Sequence, residues 1–169
     1  MERPSGFTVV ELLVGLGIAA VLATLAAPGF TAYLRDCRQA ATLNALLHAV
    51  HMARALAGTL GRPVRLCGSM DGTECSGSKD WSPGLLASSS GSGSTNRRFT
   101  PLGDDRSLQS VRSNRDLVEF SPLTRFATPA TITVCDDRGE TSARAVILSR
   151  TGRARVSDRG PGGRMLVCP

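Results

Sequence analysis

The sequence predicts an α+β fold: one long N-terminal helix, half membrane-like and half amphipathic, packed on an antiparallel β-sheet domain. Three observations predict it. An apolar run from Phe7 to Ala27 holds a single ionisable side chain, Glu11. Beyond it, Leu43, Leu46, Leu47, Val50, Ala53, Ala57 and Leu60 recur mostly at three- and four-residue intervals with polar residues between them, the period of an amphipathic helix. After Pro63 the pattern changes to short β-branched runs bounded by Gly, Pro, Asp and Ser, which mark strands and turns.

Residues 1–6 read as an exposed, non-helical lead-in ending in Pro4-Ser5-Gly6. Residues 7–28 follow as the membrane and assembly helix. The 21 residues from Phe7 to Ala27 span about 31 Å as a helix, close to the ~30 Å of a bilayer's hydrocarbon core. A carboxylate in such a segment costs roughly 2.5–3.5 kcal/mol at mid-membrane. No other side chain of the segment can neutralise Glu11, so its expected partner is another molecule. A secretory signal cut near Ala26-Ala27 is the competing reading. Against it stand the barely basic leader, the length of the apolar run and the carboxylate inside it.

Pro28-Gly29 is expected to kink or interrupt the helix. Residues 29–61 form the amphipathic stem, ended by Gly58 or Gly61 and closed by Pro63. The remaining 62–169 make the β-rich body. Val64–Cys67, Leu117–Phe120, Thr131–Cys135 and Ala145–Leu148 read as strands, with weaker ones at Val156 and Leu166-Val167. Met70–Thr73 and Asp136–Gly139 read as turns, and Trp81–Leu85 as a short strand or turn with a buried ring. Ser88–Thr95 is almost pure Ser and Gly and reads as a flexible loop.

The formal net charge is +6, from 19 Arg and one Lys against 14 acidic residues. The basicity concentrates at the end of the chain, where from Arg138 to Pro169 Arg138, Arg144, Arg150, Arg153, Arg155, Arg159 and Arg164 meet only Glu140 and Asp158. Such asymmetry favours anionic partners. Four cysteines of the body, Cys67, Cys75, Cys135 and Cys168, can form two bridges in an oxidising compartment, with Cys37 left in the stem. Of the three possible connectivities, Cys67 with Cys75 closes a short loop and Cys135 with Cys168 ties the C-terminus to a strand. No Cys/His spacing supports zinc, and His48 with His51 lacks nearby ligands, so no metal or other cofactor is expected. Asp104-Asp105 and Asp136-Asp137 read as turn residues. Neither a nucleotide-binding loop nor a nucleophile elbow is present, so enzymatic activity is not expected.

The chain resembles the type IV pilin and type II secretion pseudopilin superfamily. Gly6-Phe7-Thr8, with Glu11 four residues past Phe7 and Pro28 after the apolar run, is similar to its leader motif. The body resembles the minor subunits of the FimT/GspH group in Arg62–Cys67, in Cys75 followed by Trp81 and Gly84, and in Ile132–Cys135 before an Asp/Gly turn. The Ser/Gly stretch after Leu86 departs from the group, where a strand usually continues. The resemblance implies cleavage between Gly6 and Phe7 by a prepilin peptidase, N-methylation of Phe7, and recruitment through Glu11 meeting a neighbouring subunit's Phe7 amine. It also implies a single-pass protein of the bacterial inner membrane, its body in the periplasm, or extracellular once assembled with other pilin subunits in a pilus.

Gly152-Arg153-Ala154-Arg155 is similar to a Gly-Arg-x-Arg motif with which the transformation branch of that group contacts DNA. Two arginines at i and i+2 on a strand face the same way, about 6–7 Å apart, a spacing suited to successive phosphates. Arg150 precedes the turn, and Arg159 and Arg164 flank it. With no aromatic interleaved, binding of double-stranded DNA is expected to be phosphate-driven and independent of sequence. The expected function is a minor type IV pilin that binds DNA for uptake in natural transformation. The alternative is a purely structural GspH-type pseudopilin of a type II secretion system.

Overall fold

The structure is a computed structural model that describes residues 8–89, 96–99, 109–122 and 126–168. Gly6 and Phe7 lie outside the described residues. The chain divides into two compact units, residues 1–37 and 38–169.

Helix α1 runs from Val9 to Leu60. In the first unit its apolar side chains stand open: Val9, Val10, Leu12, Leu13, Leu16, Ile18, Val21 and Leu25 are all more than half exposed. A surface this apolar has to be covered by lipid or by other subunits. Taken singly, no helix among the described residues is long and apolar enough to cross a membrane. Val9–Leu25 and Gly29–Leu60 meet that requirement together as a bent pair, by length and composition. The helix is thus bent rather than broken near Pro28, because a proline removes one backbone hydrogen bond while the turns on either side keep theirs.

In the second unit the stem buries Leu43, Leu46, Ala49, Val50, Ala53 and Ala57, the face expected from its period. Gly61 ends the helix at φ 63°, with its N–H donating to the Ala57 carbonyl at 3.1 Å. A left-handed residue at that place is the common helix stop, and glycine adopts it without strain.

Two four-stranded antiparallel sheets pack on that face. The strands are β1 (Val64–Gly68), β2 (Leu85–Ser89), β3 (Asn96–Phe99), β4 (Gln109–Ser113), β5 (Leu117–Phe120), β6 (Ala130–Asp136), β7 (Arg144–Leu148) and β8 (Ala154–Ser157). Their orders are β3-β2-β1-β5 and β4-β6-β7-β8. One core joins the stem to both sheets through Val64, Leu66, Leu85, Val118, Ile132, Val134, Val146 and Leu148, with Trp81 fully buried among them. The outer face of the second sheet carries a smaller cluster, Cys135, Ala145 and Ile147, capped by Leu166 from the C-terminal segment.

Two expectations are corrected here. Ser88 and Ser89 are not loop: they complete β2, opposite Arg65 and Val64 of β1, and Ser89 is buried. Cross-strand hydrogen bonds outweigh the weak strand preference of serine there. Leu166-Val167 forms no strand. Leu166 is buried as a plug on the outer face, and its backbone follows the bridge between Cys168 and β6.

Candidate nucleic-acid interface

The hairpin of β7 and β8 presents the arginine motif. Its turn closes through the Gly152 N–H donating to the Ser149 carbonyl at 2.9 Å and the Ser149 N–H donating to the Arg153 carbonyl at 3.0 Å. Gly152 sits at φ 74°, a conformation that favours glycine. Its carbonyl accepts from the Arg54 guanidinium at 3.2 Å, so the stem helix holds the turn in place. Arg54 was missed as a site residue; its place on the polar face of the stem was the available signal.

Arg155 lies opposite Ile147 in register. Ile147 belongs to the outer-face cluster, so Arg155 projects to that face, away from the stem. Arg153 stands two residues earlier and is exposed, as are Arg155, Arg159 and Arg164. Among the described residues, none of these four guanidinium groups has a hydrogen bond or ion pair. Arg164 follows the Gly160–Gly163 turn, where its carbonyl accepts from the Gly160 N–H at 2.8 Å. It lines a cleft of about 490 Å³ with Arg112 of β4 and the Thr131 and Thr133 positions of β6. Arg150 lies elsewhere, in a cleft of about 430 Å³ with Glu119, Phe126 and Pro129, and its carbonyl accepts from the Ala127 N–H at 2.7 Å. Arg150 and Arg164 therefore do not share a cleft.

The disulfides are Cys67–Cys75 and Cys135–Cys168, with Cα separations of 5.6 and 5.9 Å, while Cys37 is free and exposed. All the arginines from Arg138 to Arg164 lie inside the loop closed by the second bridge. At the base of that loop Asp136 accepts from the Arg138 guanidinium at 2.6 and 2.9 Å and from the Ser142 hydroxyl at 2.7 Å. Burial pushes the Asp136 carboxyl up, but the bonds from Arg138 and Ser142 outweigh it and hold the group below the usual carboxylate range. This is a turn device. His48 packs edge-on against Phe99 at 6.0 Å, and no metal-binding cluster of His, Cys, Asp or Glu occurs among the described residues.

At the other end of the chain, Thr8 and Glu11 form a capping box. The Thr8 N–H and hydroxyl donate to Glu11 Oε2 at 3.2 and 3.1 Å, and the Glu11 N–H donates to the Thr8 hydroxyl at 3.2 Å. Part of the carboxylate's hydrogen-bonding capacity is thus met within its own chain. Glu11 Oε1 has no partner among the described residues.

The family model of the type II transport protein GspH matches residues 42–152. The chain belongs to the GspH family. The matched region takes in the second half of the stem and strands β1 to β7, and it ends one residue before Arg153, short of β8. Among solved structures, the chain is similar to the type IV minor pilin FimU of Pseudomonas aeruginosa in two crystal forms. In one, identity is 18% over 73% of this chain and 90% of that chain, with a TM-score of 0.52. In the other, identity is 16% over 70% and 91%, with a TM-score of 0.50. Likeness at that identity shows the fold, a pilin-like helix on an antiparallel body. No curated protein matches the sequence. The GspH-family chain is a minor pilin or pseudopilin, and its disulfides and α+β body agree with that class.

Proposed function

We propose that this minor pilin binds double-stranded DNA through phosphate contacts and serves DNA uptake from a type IV pilus. The observation that supports it best is the pair Arg153 and Arg155, exposed, without a carboxylate partner among the described residues, on a hairpin pinned by Gly152 and Arg54. The strand fixes where the two side chains start, and their planar forks match phosphate oxygens. No aromatic residue is interleaved with them in the sequence to serve as a base-stacking platform, so affinity comes from counterion release.

The N-terminal region serves assembly. A prepilin peptidase removes residues 1–6 and methylates Phe7, and the apolar helix anchors the subunit in the inner membrane with its body in the periplasm. Glu11 Oε1 then meets the Phe7 amine of a neighbouring subunit, which gives the carboxylate a cation at membrane depth. A mature N-terminus at methyl-Phe7, read by mass spectrometry, is the expected result; an uncleaved Met1 overturns this part.

For DNA, the full chain in detergent is titrated with two short duplexes of unrelated sequence by fluorescence anisotropy. Equal affinities, both weakened in Arg153→Gln/Arg155→Gln, are expected. Unchanged affinity in the double variant overturns the reading. A purely structural role in a type II secretion pseudopilus is the second reading, favoured by the description of the family model, and it predicts no measurable binding to either duplex.

A further inference from the structure

We propose that the cleft between β4 and the C-terminal segment is a second phosphodiester site, built on Arg112 and Arg164, that continues the Arg153–Arg155 tract across the outer face of the sheet. The inference rests on the DNA-binding reading above and adds a site to it.

Arg112 pairs with Thr133 in register, and Cys135, two residues along β6, belongs to the outer-face cluster. Side chains two apart on a strand share a face, so Arg112 and Thr133 project to the side that carries Arg155. The strand order β4-β6-β7-β8 puts Arg112 and Arg155 on opposite edges of the sheet, about 14–16 Å apart at ~4.8 Å per strand with a two-residue offset. That separation is comparable to the ~12 Å width of the major groove, so the two edges can meet phosphates on either side of it. Arg164 lies in the C-terminal segment that leaves β8 and crosses to β6, where Cys168 is bonded to Cys135, and it shares the cleft with Arg112.

The chemistry of the cleft fits an oxyanion. Arg112 and Arg164 both line its ~490 Å³, and no carboxylate side chain does. Neither guanidinium has an ion pair or hydrogen bond among the described residues. Asp80 lies opposite Arg112 across an isolated bridge, but its Oδ1 accepts from the Ser82 N–H at 3.0 Å and the Ser82 hydroxyl at 2.6 Å. The hydroxyls of Thr131 and Thr133 are half-buried in the cleft wall and have no partner among the described residues. Hydroxyl and guanidinium donors together are the usual phosphate contacts of proteins on DNA.

The test is the salt dependence of duplex binding by the full chain in detergent. Arg112→Gln and Arg164→Gln are each expected to reduce the slope of log K against log[salt] by about 0.9, one phosphate contact apiece. Arg112→Lys is expected to restore most of the slope, since a point charge still pairs with phosphate. Arg97→Gln, an exposed arginine on β3 of the other sheet, is expected to leave the slope unchanged. Inorganic phosphate, titrated by calorimetry, is expected to bind far more weakly than the duplex. The site is overturned if Arg112→Gln leaves the slope intact, if Arg97→Gln lowers it as much, or if Arg112→Gln changes phosphate binding alone. Those outcomes leave the DNA reading standing whenever Arg153→Gln/Arg155→Gln still weakens binding to the duplex. A double variant that binds normally removes the reading itself.

Discussion

Asp136 ends β6 at the base of the disulfide-closed loop, and its carboxylate organises the turn that leads into the arginine hairpin. Its native pKa lies below the ordinary 3.8. The stability it contributes is therefore complete above about pH 4 and is lost as pH falls through the native value. Asp136→Asn is expected to flatten the decline of unfolding free energy between about pH 4 and pH 2 in urea titrations; an unchanged decline contradicts this. Gly68 is constrained by space instead. A Cβ there would stand 2.7 Å from the buried Trp81 ring and 2.8 Å from the Asp80 carbonyl oxygen. Gly68→Ala is expected to destabilise the body by about 1–3 kcal/mol through overpacking, read as a lower denaturant midpoint. Some of these roles were legible in the sequence and some were not. Thr8 and Glu11 have capping-box spacing, yet the carboxylate was read only as needing an external cation. The polar face of the stem marks Arg54 only as a solvent-side residue, and Arg112 has no mark at all, because the roles of both depend on which chain segments the fold brings beside them.

The C-terminal segment depends on its bridge more than on its own backbone. From Gly160 to Cys168 it has no strand pairing, and it is held by the Gly160–Arg164 turn, the buried Leu166 and the Cys135–Cys168 bond. Closing a loop with a sequence separation of 33 removes enough unfolded-state entropy to stabilise by about 3–4 kcal/mol. Cys135→Ser/Cys168→Ser is expected to lose roughly that much in equilibrium unfolding. An unchanged denaturant midpoint would contradict it. Strands β5 and β6 were readable because alternation and burial largely coincide in them, and β7 because it is an apolar run buried from Ala145 to Leu148. The polar strands β3 and β4 were not: Asn96–Phe99 and Gln109–Ser113 carry one large apolar residue each. They become strands because β2 and β6 offer unpaired backbone edges, a cause that lies in the partner strand.

The molecule joins an apolar helix, whose exposed side chains call for lipid or neighbouring subunits, to a body with its own core and one arginine-rich outer face. The pilin-like class was legible from the N-terminal pattern and the helix-then-strands order. The layout of the arginines was not, since Arg150 and Arg164 both flank the motif in the sequence but occupy separate clefts. In the proposed reading the outer face meets DNA through charge at fixed positions, and charge of that kind has a measurable signature. The decisive measurement is the slope of log K against log[salt] for duplex binding, in the parent chain and in Arg153→Gln/Arg155→Gln. A steep parent slope that falls by about 1.8 in the double variant, equally on unrelated duplexes, is the predicted result. A slope that does not change, or a loss confined to one duplex sequence, would contradict a phosphate-binding face centred on these two arginines.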